Sequence, residues 1–108
     1  MIQMQHEHMD GMEDVIKVMR LLADPTRLRV LNMLRQSELN VSAMCDQLDL
    51  AQPTVSHHLG LLRSMGLVNT RRDGKQVFYS LNRDTVQAGE SGLHVAAGEM
   101  KLHLVRGN

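Results

Sequence analysis

Apolar residues recur at helical spacing from Met12 onward. Met12, Val15, Ile16, Met19 and Leu22 fall three or four apart, and Val18 and Leu21 widen the stripe. This pattern predicts a first helix over about residues 10–23 that is buried on more than one side. Asp10, followed three residues later by Glu13, supplies a capping arrangement at its start. Ahead of it, residues 1–9 (MIQMQHEHM) carry no period and are expected to form a mobile arm. Asp24-Pro25 restarts the chain: Asp24 can cap, and Pro25 suits a first helical position because it lacks an N–H. Leu28, Leu31 and Leu34, flanked by Val30, predict a second helix ending near Arg35–Ser37.

Asn40 is a cap candidate for a short third helix with Val41, Met44 and Leu48 inward. A tight turn at Asp49-Leu50-Ala51 leads into a fourth helix, QPTVSHHLGLLR and onward to about Met65, which Gly66 is placed to end. Beyond Gly66 the period becomes strand-like. Leu67–Thr70 and Gln76–Ser80 are β-prone runs, and the Asp73-Gly74 pair between them is a hairpin signal. Asn82 can cap a last helix over about 83–105, where Val86, Leu93, Ala97, Met100 and Leu104 share one narrow helical stripe. Gly89, Gly92 and Gly98 oppose that helix, each costing about 1 kcal/mol relative to Ala. The expected fold is mostly α with a small β-hairpin: five helices in the order α-α-α-α-β-β-α, a winged helix-turn-helix domain over 10–108.

The composition narrows the class. There is one Phe, one Tyr and no Trp, so Leu, Val, Ile and nine Met must build the core. A core this small favours a dimer, because a partner surface adds burial. One Cys excludes an internal disulfide and fits a reducing compartment. With no apolar run near the ~20 residues of a spanning helix and no signal pattern, a cytoplasmic protein without membrane contact is expected. Formal net charge is zero, but the charge is unevenly placed. Arg63, Arg71, Arg72, Lys75 and Arg83 face only Asp73 within residues 51–83, whereas residues 1–50 are net acidic. Local field matters more than the sum, and the middle segment is basic.

The fourth helix decides what that charge is for. At about 100° per residue, Val55, Leu59 and Leu62 share the core side. Gln52, Pro53, Ser56, His57, Gly60, Arg63 and Ser64 cover the opposite arc, and His58 lies toward the core flank. Adjacent helical residues do not face each other, so His57 and His58 make a poor joint metal site. The outward arc suits nucleic acid: Gln reads base edges, Ser and His meet phosphates or bases, and Arg neutralises phosphate. The DNA-facing set is Gln52, Pro53, Thr54, Ser56, His57 and Arg63 on the helix, with Arg71, Arg72 and Lys75 on the hairpin.

LLADPTRLRVLNML (21–34), QPTVSHHLGLLRSMGLV (52–68) and RRDGKQVFYSL (71–81) together resemble the ArsR/SmtB family of bacterial winged-helix repressors. The resemblance runs from about Leu21 to Leu81. It implies a cytoplasmic homodimeric repressor on a double-stranded operator with one half-site per subunit, released by an inducer. The first and last helices would form the dimer interface, through Val15, Met19, Leu22, Val86, Leu93, Ala97, Met100 and Leu104. Family members often carry Ser or Thr where Ala51 stands, so the fourth helix is expected to lack a side-chain cap.

The family's inducer positions are not filled in the usual way. Asn40 stands where soft-metal sensors have a cysteine, and Cys45, a turn deeper, reads as a core thiol. Arg83, Thr85, Ala96 and Glu99 match the zinc positions of the last helix and cannot hold zinc. Glu90/His94 and Glu99/His103 form i, i+4 pairs on the expected last helix. His94 and His103 would then lie on opposite flanks, so only a site shared across a dimer, with His6 or His8, could use them. No cofactor is expected to be required. The alternative reading is a protein-interaction winged helix without DNA binding. An enzyme is not expected, since Cys45 with a histidine is the only nucleophile–base pair available.

Overall fold

The computed structural model describes the backbone from Ile2 to Val105 and side chains from Gly11 to Val105. Four helices and six strands follow in order: α1 (Ile2–Leu22), α2 (Pro25–Leu34), β1 (Leu39–Asn40), α3 (Val41–Leu48), α4 (Gln52–Ser64), β2 (Val68–Asp73), β3 (Gln76–Leu81), β4 (Val86–Ala88), β5 (Gly92–Ala97) and β6 (Met100–Val105). α1 begins ahead of Asp10. The Asp10–Glu13 arrangement, expected to cap this helix, therefore lies within it, and the side chains of the segment expected as an arm over 1–9, His6 and His8 among them, lie outside the described residues.

The helix ends follow local chemistry. Asp24 accepts the Arg27 backbone N–H at 3.0 Å and Pro25 occupies the first turn of α2. Asn40 caps α3 by accepting from the Ala43 N–H at 2.8 Å. Asp49 ends α3 in the left-handed region at φ 54°, ψ 48°. α4 starts after Ala51, which makes no side-chain cap bond. Gly66, at φ 76°, closes α4, with the Leu67 N–H reaching back to the Leu62 carbonyl at 3.0 Å.

Val30, Leu31, Leu34, Met44, Val55, Leu59, Leu62 and Leu67 form the centre of the core, each at most 1% exposed. α1 contributes Val15, Val18, Leu21 and Leu22, while Met12, Ile16 and Met19 stay exposed. Leu28 is also exposed, and α2 packs through Val30, Leu31 and Leu34.

β2 and β3 form the wing hairpin, and β1 adds a short third strand on β3, in the order β1-β3-β2. The turn is Gly74-Lys75, one residue later than the Asp-Gly signal, because Asp73 still pairs with Gln76 and Gly74 takes φ 63°.

The last expected helix is not formed. Residues 86–105 instead make a second antiparallel sheet, β4-β5-β6, so the described residues form four helices rather than five. The glycines decide this: Gly98, at φ 61°, turns the chain between β5 and β6. A Cβ at Gly92 would lie 1.8 Å from the Leu104 carbonyl oxygen, so the strands meet where only glycine fits. Asn82 makes a turn instead of a helix cap. Its side chain donates to the Gly66 carbonyl at 2.8 Å and accepts from the Asp84 N–H at 3.1 Å.

The refolded C-terminus also changes the expected interface set. Val15, Leu22, Val86, Leu93 and Ala97 are buried within this chain's own core and Leu104 is half-buried, because the second sheet lies on the helical layer. Met19 and Met100 remain exposed, at 53% and 52%.

Candidate nucleic-acid interface

α3 and α4 are joined by a short turn, and the wing follows α4 directly, so helix and hairpin are held by one core. Val55, Leu59 and Leu62 anchor α4 with no exposure at all. This fixes the opposite face outward. Gln52, Pro53, Thr54, His57, Gly60, Arg63 and Ser64 are exposed and Ser56 is half-buried. Gln52 donates to the Ser56 hydroxyl at 2.9 Å, so the first turn of α4 presents an amide and a hydroxyl as one unit. Space is open beyond Gly60, leaving the middle of the arc low.

The two histidines part as their helical positions require. Their ring centres are 5.8 Å apart with planes tilted by 59°. His57 points out, while His58 accepts from Arg27 Nε at 3.2 Å. Arg27 also donates to the Leu21 carbonyl at 2.8 Å, so one guanidinium joins the end of α1, the start of α2 and the middle of α4. The Arg27 backbone N–H holds the Asp24 carboxyl below its ordinary pKa.

The wing separates its cations. Arg72 and Lys75 are exposed and, among the described residues, have no ion-pair partner. Arg71 is engaged within its own chain at the surface: its Nε and Nη2 donate to the two Glu38 carboxylate oxygens, Asp73 lies 3.9 Å from Nη1, and the group sits 4.8 Å over the Phe78 ring. The bond from Arg71 lowers the Glu38 pKa. Sequence reasoning missed this pair because Glu38 and Arg71 are 33 residues apart and meet only once β1 joins β3.

Cys45 is a free, half-buried thiol packed against the core on α3. Among the described residues, no three His, Cys, Asp or Glu side chains gather as a metal site. His94 and His103, placed on opposite flanks of a helix by the sequence pattern, instead face each other across β5 and β6 with stacked rings. Glu90 lies in the β4–β5 loop and Glu99 in the β5–β6 turn, so neither keeps the i, i+4 partnership a helix would give. No described helix is long and apolar enough to cross a membrane.

Residues 24–70 match the profile of the family described as "Bacterial regulatory protein, arsR family". The chain is 39% identical over 79 residues to the transcriptional activator HlyU of Vibrio cholerae, covering 73% of each protein. It is 44% identical over 73 residues to the HTH-type transcriptional regulator KmtR of Mycobacterium tuberculosis, across 68% of this chain but 56% of KmtR. The chain therefore spans little more than half the length of that relative. The structure of reduced Vibrio cholerae HlyU superposes with a TM-score of 0.65 at 37% identity, over 69% of this chain and 79% of HlyU. The homodimeric winged helix-turn-helix DNA-binding domain Mb0332 of Mycobacterium bovis gives 0.62 at 34% identity, over 66% of each chain. With the winged helix-turn-helix fold shared and the sequence match running through α2, α3 and α4, this chain belongs to the arsR family of bacterial regulatory proteins.

Proposed function

We propose that this protein is a sequence-specific, DNA-binding transcriptional regulator acting as a homodimer in the cytoplasm, with repression by occupying its operator as the mode and release by an inducer. The observation that carries this reading is the exposed arc of α4, with Gln52, Ser56, His57 and Arg63 set opposite a fully buried anchor of Val55, Leu59 and Leu62. Gln52, Ser56 and His57 address base edges and phosphates, with Pro53 and Thr54 at the helix entry. Arg72 and Lys75 at the wing add sequence-independent attraction to phosphate. Arg71 serves the wing's own structure first, through Glu38 and Phe78.

The homodimeric state of Mb0332 supports a dimer here. In this chain Met12, Ile16 and Met19 on α1 and Met100 on β6 are exposed apolar side chains that could contribute to it. Of the interface set that the family resemblance implies, Met19 and Met100 are among these residues. A family of regulators and a half-buried Cys45 support a non-enzymatic role.

Fluorescence anisotropy with a labelled duplex from the region upstream of the protein's own gene tests the reading. Saturable binding, competed by the same duplex and weakly by a scrambled one, is expected. Absence of saturable binding at moderate salt would favour a protein-interaction module instead.

A further inference from the structure

The wing sorts its charges between two faces. Successive strand residues point to opposite sides, so Arg71 and Asp73 share one face of β2 and Arg72 takes the other. The register fixes which face is which. Val68 and its partner Leu81 are buried in the core that also anchors α4, and Arg72 lies on their face, further along β2. Arg71 stands opposite Phe78, whose other partner is Asn40 on β1, so these three share the face turned from the core. Glu38, two residues before Asn40, reaches that face as well, and its two carboxylate oxygens accept from Arg71 Nε and Nη2. There one guanidinium stands against two carboxylates, Glu38 and Asp73. Arg72 on the other face and Lys75 in the turn meet no carboxylate among the described residues.

We propose that Glu38 is an internal competitor for phosphate: by holding Arg71 it withholds one wing cation from DNA and so limits the protein's general affinity for any duplex. The inference rests on the DNA-binding reading of α4 and the wing. A carboxylate and a phosphate offer a guanidinium the same two-point acceptor, so the edge that holds one does not hold the other. Glu38 takes the Nε–Nη2 edge of Arg71, and Asp73 lies 3.9 Å from the remaining Nη1. The Phe78 ring lies 4.8 Å from the guanidinium carbon and covers one of its flat sides. An isolated exposed ion pair holds weakly, but this cation is fixed by a fork, a second carboxylate and a ring together. The Arg71 bond also lowers the Glu38 pKa, so the competitor stays charged at neutral pH. Both side chains are exposed, which leaves Arg71 within reach of a phosphate once the carboxylate is removed. A pair that merely braced the hairpin would behave in the opposite sense: losing Glu38 would loosen the wing and weaken DNA binding.

The test measures anisotropy of the full chain on the upstream duplex and on a scrambled one across a salt series, for Glu38→Gln, Glu38→Ala, Arg71→Ala and the double change Glu38→Gln/Arg71→Ala. Both Glu38 variants should bind both duplexes more tightly at low salt and steepen the salt slope by about one. The loss of affinity between about 50 and 200 mM salt should then grow by about 3.5-fold, the share of one phosphate contact. Arg71→Ala alone should leave the slope as it is, and the double change should return it to that of the unaltered chain. Asp73→Asn should leave the slope unchanged, because Glu38 still holds the guanidinium. Weaker binding in the Glu38 variants, a slope they do not change, or a slope flattened by about one in Arg71→Ala alone overturns the inference and leaves the DNA-binding reading standing. If the unaltered chain binds neither duplex, that reading falls and this inference falls with it.

Discussion

Arg27 Nε donates to His58 Nδ1 at 3.2 Å, across 31 residues of sequence, and this bond sets the roles of the two adjacent histidines. The bond turns the His58 ring toward α2. His57, on the next position, has no such tether and faces outward. His58→Ala should therefore cost roughly 0.5–1.5 kcal/mol of stability, the net value of one hydrogen bond. His57→Ala should change stability by less than about 0.5 kcal/mol, as exposed substitutions do, while weakening DNA binding. Urea denaturation of the two variants separates these expectations.

Ala51 precedes α4 without a side-chain cap bond. Ala51→Ser should add about 1 kcal/mol of stability. For a domain of this size the melting temperature should rise by roughly 4 °C. A neutral or lowered melting temperature by calorimetry would contradict the cap assignment.

Two carboxylates give the protein an acid-sensitive component. The Arg71 bond lowers the Glu38 pKa from its ordinary 4.5, and the Arg27 N–H lowers that of Asp24 from 3.8. A group whose folded pKa is depressed contributes fully above its unfolded value and loses that contribution as pH falls through the folded one. Stability should be insensitive to both groups near neutrality and decline as pH drops below about 4.5. In Glu38→Gln and Asp24→Asn the decline of the urea midpoint with falling pH should be shallower.

Gly92 is the position where the second sheet tolerates no side chain, with the Leu104 carbonyl oxygen 1.8 Å from an added Cβ. Gly92→Ala should destabilise the protein by roughly 1–3 kcal/mol, the range for overpacking. Amide exchange should quicken in β5 and β6 before it changes in α3 and α4.

The helix-turn-helix was legible because several local signals agreed there. Asp24-Pro25, Asn40 and Gly66 mark helix ends in the sequence, and Val55, Leu59 and Leu62 keep one helical face. The C-terminal segment misled for a physical reason. Val86, Leu93, Ala97, Met100 and Leu104 satisfy a helical stripe, yet Leu93, Val95 and Ala97 also alternate at period two up to Gly98. Sequence spacing alone does not choose between those periods; the turn at Gly98 and the close approach at Gly92 do. At the wing, the cations were visible as a cluster, but their division was not. Arg71 finds Glu38 and Phe78 only through the pairing of β1 with β3, a tertiary contact that no local pattern encodes.

On the proposed function α4 reads sequence, while Arg72 and Lys75 on the wing supply general attraction. Anisotropy measured across a salt series on the operator and a scrambled duplex tests it most directly, using the unaltered chain, Gln52→Ala and Arg72→Ala. Arg72→Ala should weaken both duplexes alike and reduce the salt slope by about one, the loss of one phosphate contact. Gln52→Ala should cost about 1–3 kcal/mol on the operator alone, with the slope unchanged. If Gln52→Ala weakens both duplexes equally, or Arg72→Ala leaves the slope as it was, the assignment of reading to α4 and attraction to the wing is contradicted.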